Sequence, residues 1–564
     1  MRSVFLFLLF MPVATCLAQP AITPFDDDYS EGDAFFDSLY AVQRARQQAA
    51  ADSARLAEVR DRLDALRTGQ GDQRLVIANA ILDTLGHDLL GLSGVRHVGF
   101  ARCEQLDLAQ VLGVLATWPD LRSLTLADGS YEVLPEAIGR LTELDTLVLR
   151  GNDLRMLPDS LAMLQNLVHL DLSHNRSIDD RAAWAALVRL PADLSLDLSY
   201  CRMSIWPDDV RVPTRSVDLS GNFFSTVHPS IAGVEDLGFA SNADVDIDQL
   251  MADLATFTRL RHLDLSANGI TALPAGLGNL TKLEVLNLSD NELTALPVDI
   301  DACPALRVLD ISNTTDYRRG NQLTALPPGI GRLAALEELY AARNLLADLP
   351  EAIGDCGSLR IIDLSVNQLT AFPPALTRCT KLEQVLMAEN TIASLPEEGL
   401  GRLDALEVLD LRNFFFVWPD QKISTLPDDI CDMAALRELH LGDHVIEELP
   451  DSIGRLATLE VLDVRNNLLA GLPESFGRLS ALEVLDLKTN ELTDLPASFS
   501  ELASLRDLDL AFNAGLDEAA VLNELVDLPS LERIDISFNE FTVSMVDRLR
   551  AERPGVEVTA VQFE

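Results

Sequence analysis

The residues most regularly placed to do chemistry are aspartates. Asp171, Asp197, Asp218, Asp264, Asp310, Asp363, Asp410, Asp463, Asp486, Asp509 and Asp535 each lie between two aliphatic residues, as in Leu409-Asp410-Leu411. Alternate residues of a strand point to one face. If these kernels are strands side by side, their carboxylates form a ladder with a step of about 5 Å. Such a ladder would attract cations or a basic partner. It does not gather the 6–8 oxygens that calcium takes, and an exposed Asp also simply keeps a sheet solvated. In the same column Val148, Tyr340, Leu386 and His440 replace Asp, and Arg343, Arg412, Arg465 and Lys488 fall in adjacent columns. Exposed aromatics and Arg are the groups that interface hot spots use; drift in a long repeat is the competing explanation of these breaks.

Other chemistries find little support. G-x-S-x-G, H-E-x-x-H, a Walker loop and a strand-to-helix G-x-G-x-x-G were sought without success. The eight His are scattered, and His440 and His444 sit at i, i+4 on a strand and its turn rather than on a helix. After Cys16 there are Cys103, Cys201, Cys303, Cys356, Cys379 and Cys431, with no C-x-x-C pair. No metal centre, cofactor or catalytic group is expected, so the chain reads as a non-enzyme.

The elements that must position these residues come from a repeat. Its kernel is L-x-x-L-x-L-x-x-N, as in Leu283-Glu-Val-Leu286-Asn-Leu288-Ser-Asp-Asn291. Anchored on the last position, about 19 units run from Val95 onward. The anchors include Cys103, Cys201, Thr314, Phe414 and His444 in place of Asn. Leu286 and Leu288 alternate with period 2, so they share one side of a short strand. One strand cannot bury its leucines alone, whereas stacked units merge them into a continuous core. The anchor Asn can satisfy backbone groups in the turn. Cys303, Cys356 and Cys379 fall where Leu280 and Leu456 stand in other units, so they read as core residues.

The pattern resembles the leucine-rich repeat family. The spacer Leu449-Pro450-Asp-Ser-Ile453-Gly454-Arg-Leu456 is similar to the 23-residue class to which Scribble, Erbin and the plant Ras-group repeat proteins belong. The resemblance implies an α/β solenoid, or horseshoe. Its concave face carries a parallel sheet, its convex face short helical or 3-10 turns, and its role is that of a binding scaffold.

Two insertions interrupt the repeat. Residues near 315–320 contain Tyr317 and Arg318, and those near 415–420 contain Phe415, Phe416 and Trp418. Both leave the same point of the coil, four coils or about 20 Å apart. An exposed aromatic run is costly unless covered, so these loops either pack on the solenoid flank or rim a partner site with Tyr340, Arg343, Leu386, Arg412 and His440.

Outside the repeat, the run Val4–Phe10 followed by Cys16-Leu17-Ala18 fits a secretory signal over residues 1–18. Acylation at Cys16 is the alternative, and Thr15 matches it poorly. Residues 19–94 read as an acidic lead and a helical N-terminal cap. A helix over 35–67 could self-associate, and a second helical stretch runs from Leu75 to Leu90. The solenoid proper spans 95–542, and 543–564 form a C-terminal cap with a last strand near Val556–Val558. Asp+Glu number 88 against 44 Lys+Arg, a formal charge of −44. Such a chain cannot neutralise phosphates, which excludes nucleic acid, and after Ala18 no apolar run is long enough to span a bilayer. The expected protein is an exported bacterial scaffold (secreted, periplasmic or outer-membrane-associated) that binds a protein or glycan. Two alternatives are a surface or adhesion protein held by lipid or self-association, and an accessory or inhibitory module of a partner enzyme.

Overall fold

The computed structural model describes residues 61, 63–65, 73–78, 89, 92, 94–103, 106–207, 212, 214–314, 320–413 and 418–561. The chain divides into two units, Met1–Arg62 and Leu63–Glu564, and the second holds the sheet. Among the described residues that sheet has 21 strands, all parallel, each paired with its neighbours in sequence from Arg74–Ala78 to Glu557–Thr559. Most strands have three residues. In Val285–Asn287 the central Leu286 is fully buried while Val285 and Asn287 face outward. Three residues make no independent strand; neighbouring coils supply the missing hydrogen bonds and the apolar cover together.

The anchor column is an asparagine ladder. Asn291 Nδ2 donates to Leu265 O and Leu288 O (2.9 Å each), and its Oδ1 accepts from the backbone N–H of Asn268 (3.0 Å) and Ile270 (3.1 Å). One buried amide thus pairs four backbone groups that the turn would orphan. Cys201 takes the same place, its Sγ donating to Leu172 O at 3.2 Å. His444 does so with both ring nitrogens. Nδ1 accepts from Ile423 N (3.1 Å), so Nε2 carries the proton and donates to Leu411 O (2.8 Å).

The residue before most anchors, though not Gly320 before Asn321, adopts a left-handed backbone, even where it is Arg343, Val366, Thr489 or Phe512. The conformation costs about 1–2 kcal/mol outside glycine. It persists because the N–H there donates across the coils, as from Val366 to Ala388 O at 2.8 Å.

On the convex side, coils with a 23-residue step carry a short 3-10 turn, such as Ile453–Arg455. A 26-residue step, as from Asn242 to Asn268, leaves room for a true α-helix, here Ile247–Leu254. The helices Leu108–Leu115, Asp180–Leu187, Ile247–Leu254 and Glu518–Asp527 all begin after an Asp whose carboxylate accepts an N–H of the first turn.

Two expectations need correction. Arg74–Ala78 is a strand paired with His97–Ala101, not the start of a helix over Leu75–Leu90, so the sheet begins one coil before Val95. Pairing to the neighbouring strand decides this, and local periodicity does not reveal it. The anchor assigned to Thr314 belongs to Asn321, whose side chain bonds Leu288 O (2.9 Å) and Leu293 N (3.0 Å). The residue next to Phe414, Asn413, marks the base of the second insertion, donating to Gln421 O (2.9 Å) as Asn313 does to Asn321 O (2.9 Å). Both insertions therefore leave between strand and anchor, from equivalent points. Residues 1–60, and with them most of the proposed 35–67 helix, lie outside the described residues, as do 315–319 and 414–417.

Candidate functional site

Side chains on the open face of the sheet stand in columns fixed by the parallel register. One column runs Asp310, Tyr340, Asp363, Leu386, Asp410, His440, Asp463 across seven successive strands. Tyr340 and Leu386 thus flank Asp363, as the sequence places them, and His440 stands between Asp410 and Asp463. Two residues earlier on each strand lies a second column, Val308, Glu338, Ile361, Gln384, Val408, Glu438, Val461. The two columns alternate in opposite phase. Wherever one has Asp, the other has Val or Ile; wherever one has Tyr, Leu or His, the other has Glu or Gln. Sequence reading followed only one column and missed this, although Glu-Leu-Tyr, Gln-Val-Leu and Glu-Leu-His set against Val-Leu-Asp and Ile-Ile-Asp carry the signal.

The alternation has physical causes. Like charges directly opposite on neighbouring strands repel, and a bulky residue between two Asp doubles their spacing. The donors also find partners on their own strand: Tyr340 Oη donates to Glu338 at 2.8 Å, and His440 Nε2 lies 3.2 Å from Glu438 Oε2. Burial, then the Glu338 hydrogen bond, raises the Tyr340 hydroxyl above its ordinary pKa.

The ladder aspartates also have a structural task. Oδ1 of Asp264, Asp310 and Asp363 accepts the N–H two residues on, from Ser266, Ser312 and Ser365, at 2.9 Å each. Asn287 fills the same position and makes the same bond to Ser289 (2.9 Å), so the fold asks for an acceptor there rather than a charge. Where Asp follows Asp from strand to strand, burial and then the neighbouring carboxylates push Asp197 and Asp486 up to about 6. Among the described residues no group of three or more His, Cys, Asp or Glu is arranged to hold a metal ion.

Two of the predicted basic residues, Arg412 and Arg465, pair with ladder aspartates. Arg412 turns back onto Asp410, with Nε 2.9 Å from Oδ1, and Arg465 Nη1 lies 3.2 Å from Asp463 Oδ2. They neutralise buried carboxylates, since Asp410 and Asp463 are only 7% and 6% exposed, and do not form a free positive patch. Arg343 is exposed on the left-handed column, and its carbonyl accepts from Asn313 Nδ2 at the base of the first insertion. Tyr317, Arg318, Phe415 and Phe416 lie outside the described residues. Trp418, at the foot of the second insertion, is 75% exposed. The six described Cys are buried, and no disulfide joins any two of them. The Cys303, Cys356 and Cys379 thiols donate to backbone carbonyls of the preceding coil.

Three stretches match family models described as leucine-rich repeat region (residues 420–551) and leucine-rich repeat (258–315 and 164–183). The fold is that of a leucine-rich-repeat solenoid. Solved structures similar to this solenoid include the plant peptide hormone receptor RGFR1 in complex with RGF2 (20% identity, 86% of this chain and 89% of that one, TM-score 0.51). Another is the Toll–Spatzle complex of Drosophila (19%, 83% and 61%, 0.58). A third is the TLR13–ssRNA13 complex (19%, 87% and 82%, 0.58). Among curated proteins, the adenylate cyclase of Schizosaccharomyces pombe is 22% identical over 245 residues, 36% of this chain but 14% of its own length. No helix among the described residues is long and apolar enough to cross a membrane.

Proposed function

We propose that this solenoid is a non-catalytic, exported scaffold that holds a protein or glycan ligand on its concave face, with the two insertions as a rim. The observation that carries the reading is the outward row from Tyr340 to His440, set by register beside the bases of both insertions. An exposed Trp418 at one of those bases adds the kind of anchor that interfaces use. Leucine-rich-repeat solenoids commonly bind other proteins, and two of the similar structures hold a peptide hormone or a protein ligand. The third holds RNA, but a net charge of −44 opposes a polyphosphate partner here. The match to the cyclase covers only 14% of that enzyme. Export rests on the apolar run Val4–Phe10 and the small-residue site ending at Ala18.

Pull-down with the mature chain, against extracellular and whole-cell fractions at low and high salt, tests this. A ligand retained by the wild type should be lost when Phe415, Phe416 and Trp418 are changed to Ser, with thermal unfolding unchanged. Retention by both proteins removes the loops from the site, and retention by neither removes the scaffold role.

A further inference from the structure

We infer that the concave face between Asp264 and Asp463 is spaced for a peptide in the polyproline II conformation with a basic residue at every third position. This rests on the concave-face reading above and names the ligand class. On every second strand from Asp264 to Asp463 the column carries a carboxylate. Two strand spacings are about 9.4–9.8 Å. Three polyproline II residues advance about 9.3 Å, so a ligand lying across the strands would stay in step, drifting by less than about 2 Å over the four double steps. An α-helix repeats its face every seven residues, about 10.5 Å, and drifts by roughly 4 Å over the same span. An extended strand returns to one face every two residues, about 6.7 Å, and turns every third residue away.

Charge complements the spacing. Among the described residues no Lys or Arg pairs with Asp264, Asp310 or Asp363, each of which accepts a backbone N–H. Asp410 and Asp463, in contrast, already hold Arg412 and Arg465. The need for cations therefore lies over the first three carboxylates, and the net charge of −44 would steer a basic ligand toward them. Between Asp310 and Asp363 stands Tyr340, and between Asp363 and Asp410 stands Leu386. Aromatic-lined grooves take proline well because a preformed polyproline II chain loses little entropy on binding.

Fluorescence anisotropy at low ionic strength tests this on the full mature chain with two peptides of one composition. One has five Arg-Pro-Pro triplets; the other has its Arg irregularly spaced. The regular peptide should bind at least about tenfold tighter. Changing Asp264, Asp310 and Asp363 together to Asn should abolish that binding without loss of fold, since Asn287 already occupies this position. A second variant, Tyr340→Asp with Leu386→Asp, adds carboxylates but erases the alternation. It should lose the preference for the regular peptide, whereas simple charge attraction would strengthen its binding. Equal affinity for both peptides, or tighter regular-peptide binding by the second variant, overturns the inference. Equal affinities that fall together in the Asn variant leave the concave face as a binding site and remove only the period. If neither peptide binds, the inference fails while the pull-down still decides the broader role.

Discussion

At the scale of single residues, the anchor column shows one need met by three chemistries. Asn supplies a donor and an acceptor in one planar group, Cys supplies a weak donor, and His444 supplies both roles in one tautomer. His444 alone titrates near neutrality. Burial, and then the nearby Lys422 charge, lower its pKa to about 4, below the ordinary value near 6.5; a second ring proton would also remove the acceptor that Ile423 N uses. Between those values the unfolded chain binds a proton that the folded chain does not. Its contribution is therefore complete above about pH 6.5 and lost as pH falls toward 4, by roughly 3 kcal/mol in all. Raised ladder carboxylates such as Asp197 act in the opposite direction over the same range, so the useful quantity is a difference. Urea unfolding of wild type and His444→Asn across pH 4 to 7 should show the wild type losing more stability on acidification. Parallel curves would mean that the ring is not buried neutral.

At the scale of elements, the coil is fixed by how closely neighbours approach. A Cβ at Gly454 would collide with the Ser475 carbonyl of the next coil, and Gly331 faces the Ala352 carbonyl in the same way. The Ile-Gly of the spacer thus reflects backbone packed on backbone rather than a special dihedral. Gly454→Ala should destabilise by about 1–3 kcal/mol through overpacking. Gly471→Ala, where a Cβ meets nothing within 4 Å, should change little. Thermal unfolding of the two variants checks this, and equal midpoints would refute it. The convex elements follow the same economy of space. A step of 26 residues accommodates a helix rising 1.5 Å per residue where 23 residues accommodate a 3-10 turn rising about 2.0 Å, and Asp107, Asp179, Asp246 and Asp517 cap the four helices.

At the scale of the whole molecule, 88 acidic against 44 basic residues make self-repulsion a standing cost. Many Arg are spent on pairs between adjacent coils, such as Arg307–Glu337 and Arg360–Glu383. Consecutive Asp on the concave face remain crowded, and Asp197 and Asp486 are the most perturbed. Because their pKa values rise on folding, these groups favour the folded state below their ordinary range and oppose it as pH rises through about 6. At pH 8 the melting temperature should climb with added NaCl, as screening shortens the reach of these charges. The double variant Asp197→Asn, Asp486→Asn should melt higher than wild type at low salt and approach it at high salt. A wild-type melting temperature indifferent to salt would remove electrostatic crowding as a factor.

The amino-acid sequence by itself determined the solenoid, since a leucine kernel iterated this often has one way to bury its apolar side. It also identified Cys201 and His444 as anchor substitutes and placed Tyr340 and Leu386 on either side of Asp363. Tertiary structure decided what pairing across coils controls. The strand Arg74–Ala78 exists because His97–Ala101 lies beside it. Asn321, and not Thr314, closes the ladder because only after the insertion does the chain regain the hydrogen-bonding position. Arg412 quenches Asp410 because their side chains lie on the same face of one coil. The opposed alternation of two columns appears only when seven strands separated in sequence are set in register. Sequence carries the period within a coil; what faces what between coils is a property of the stack.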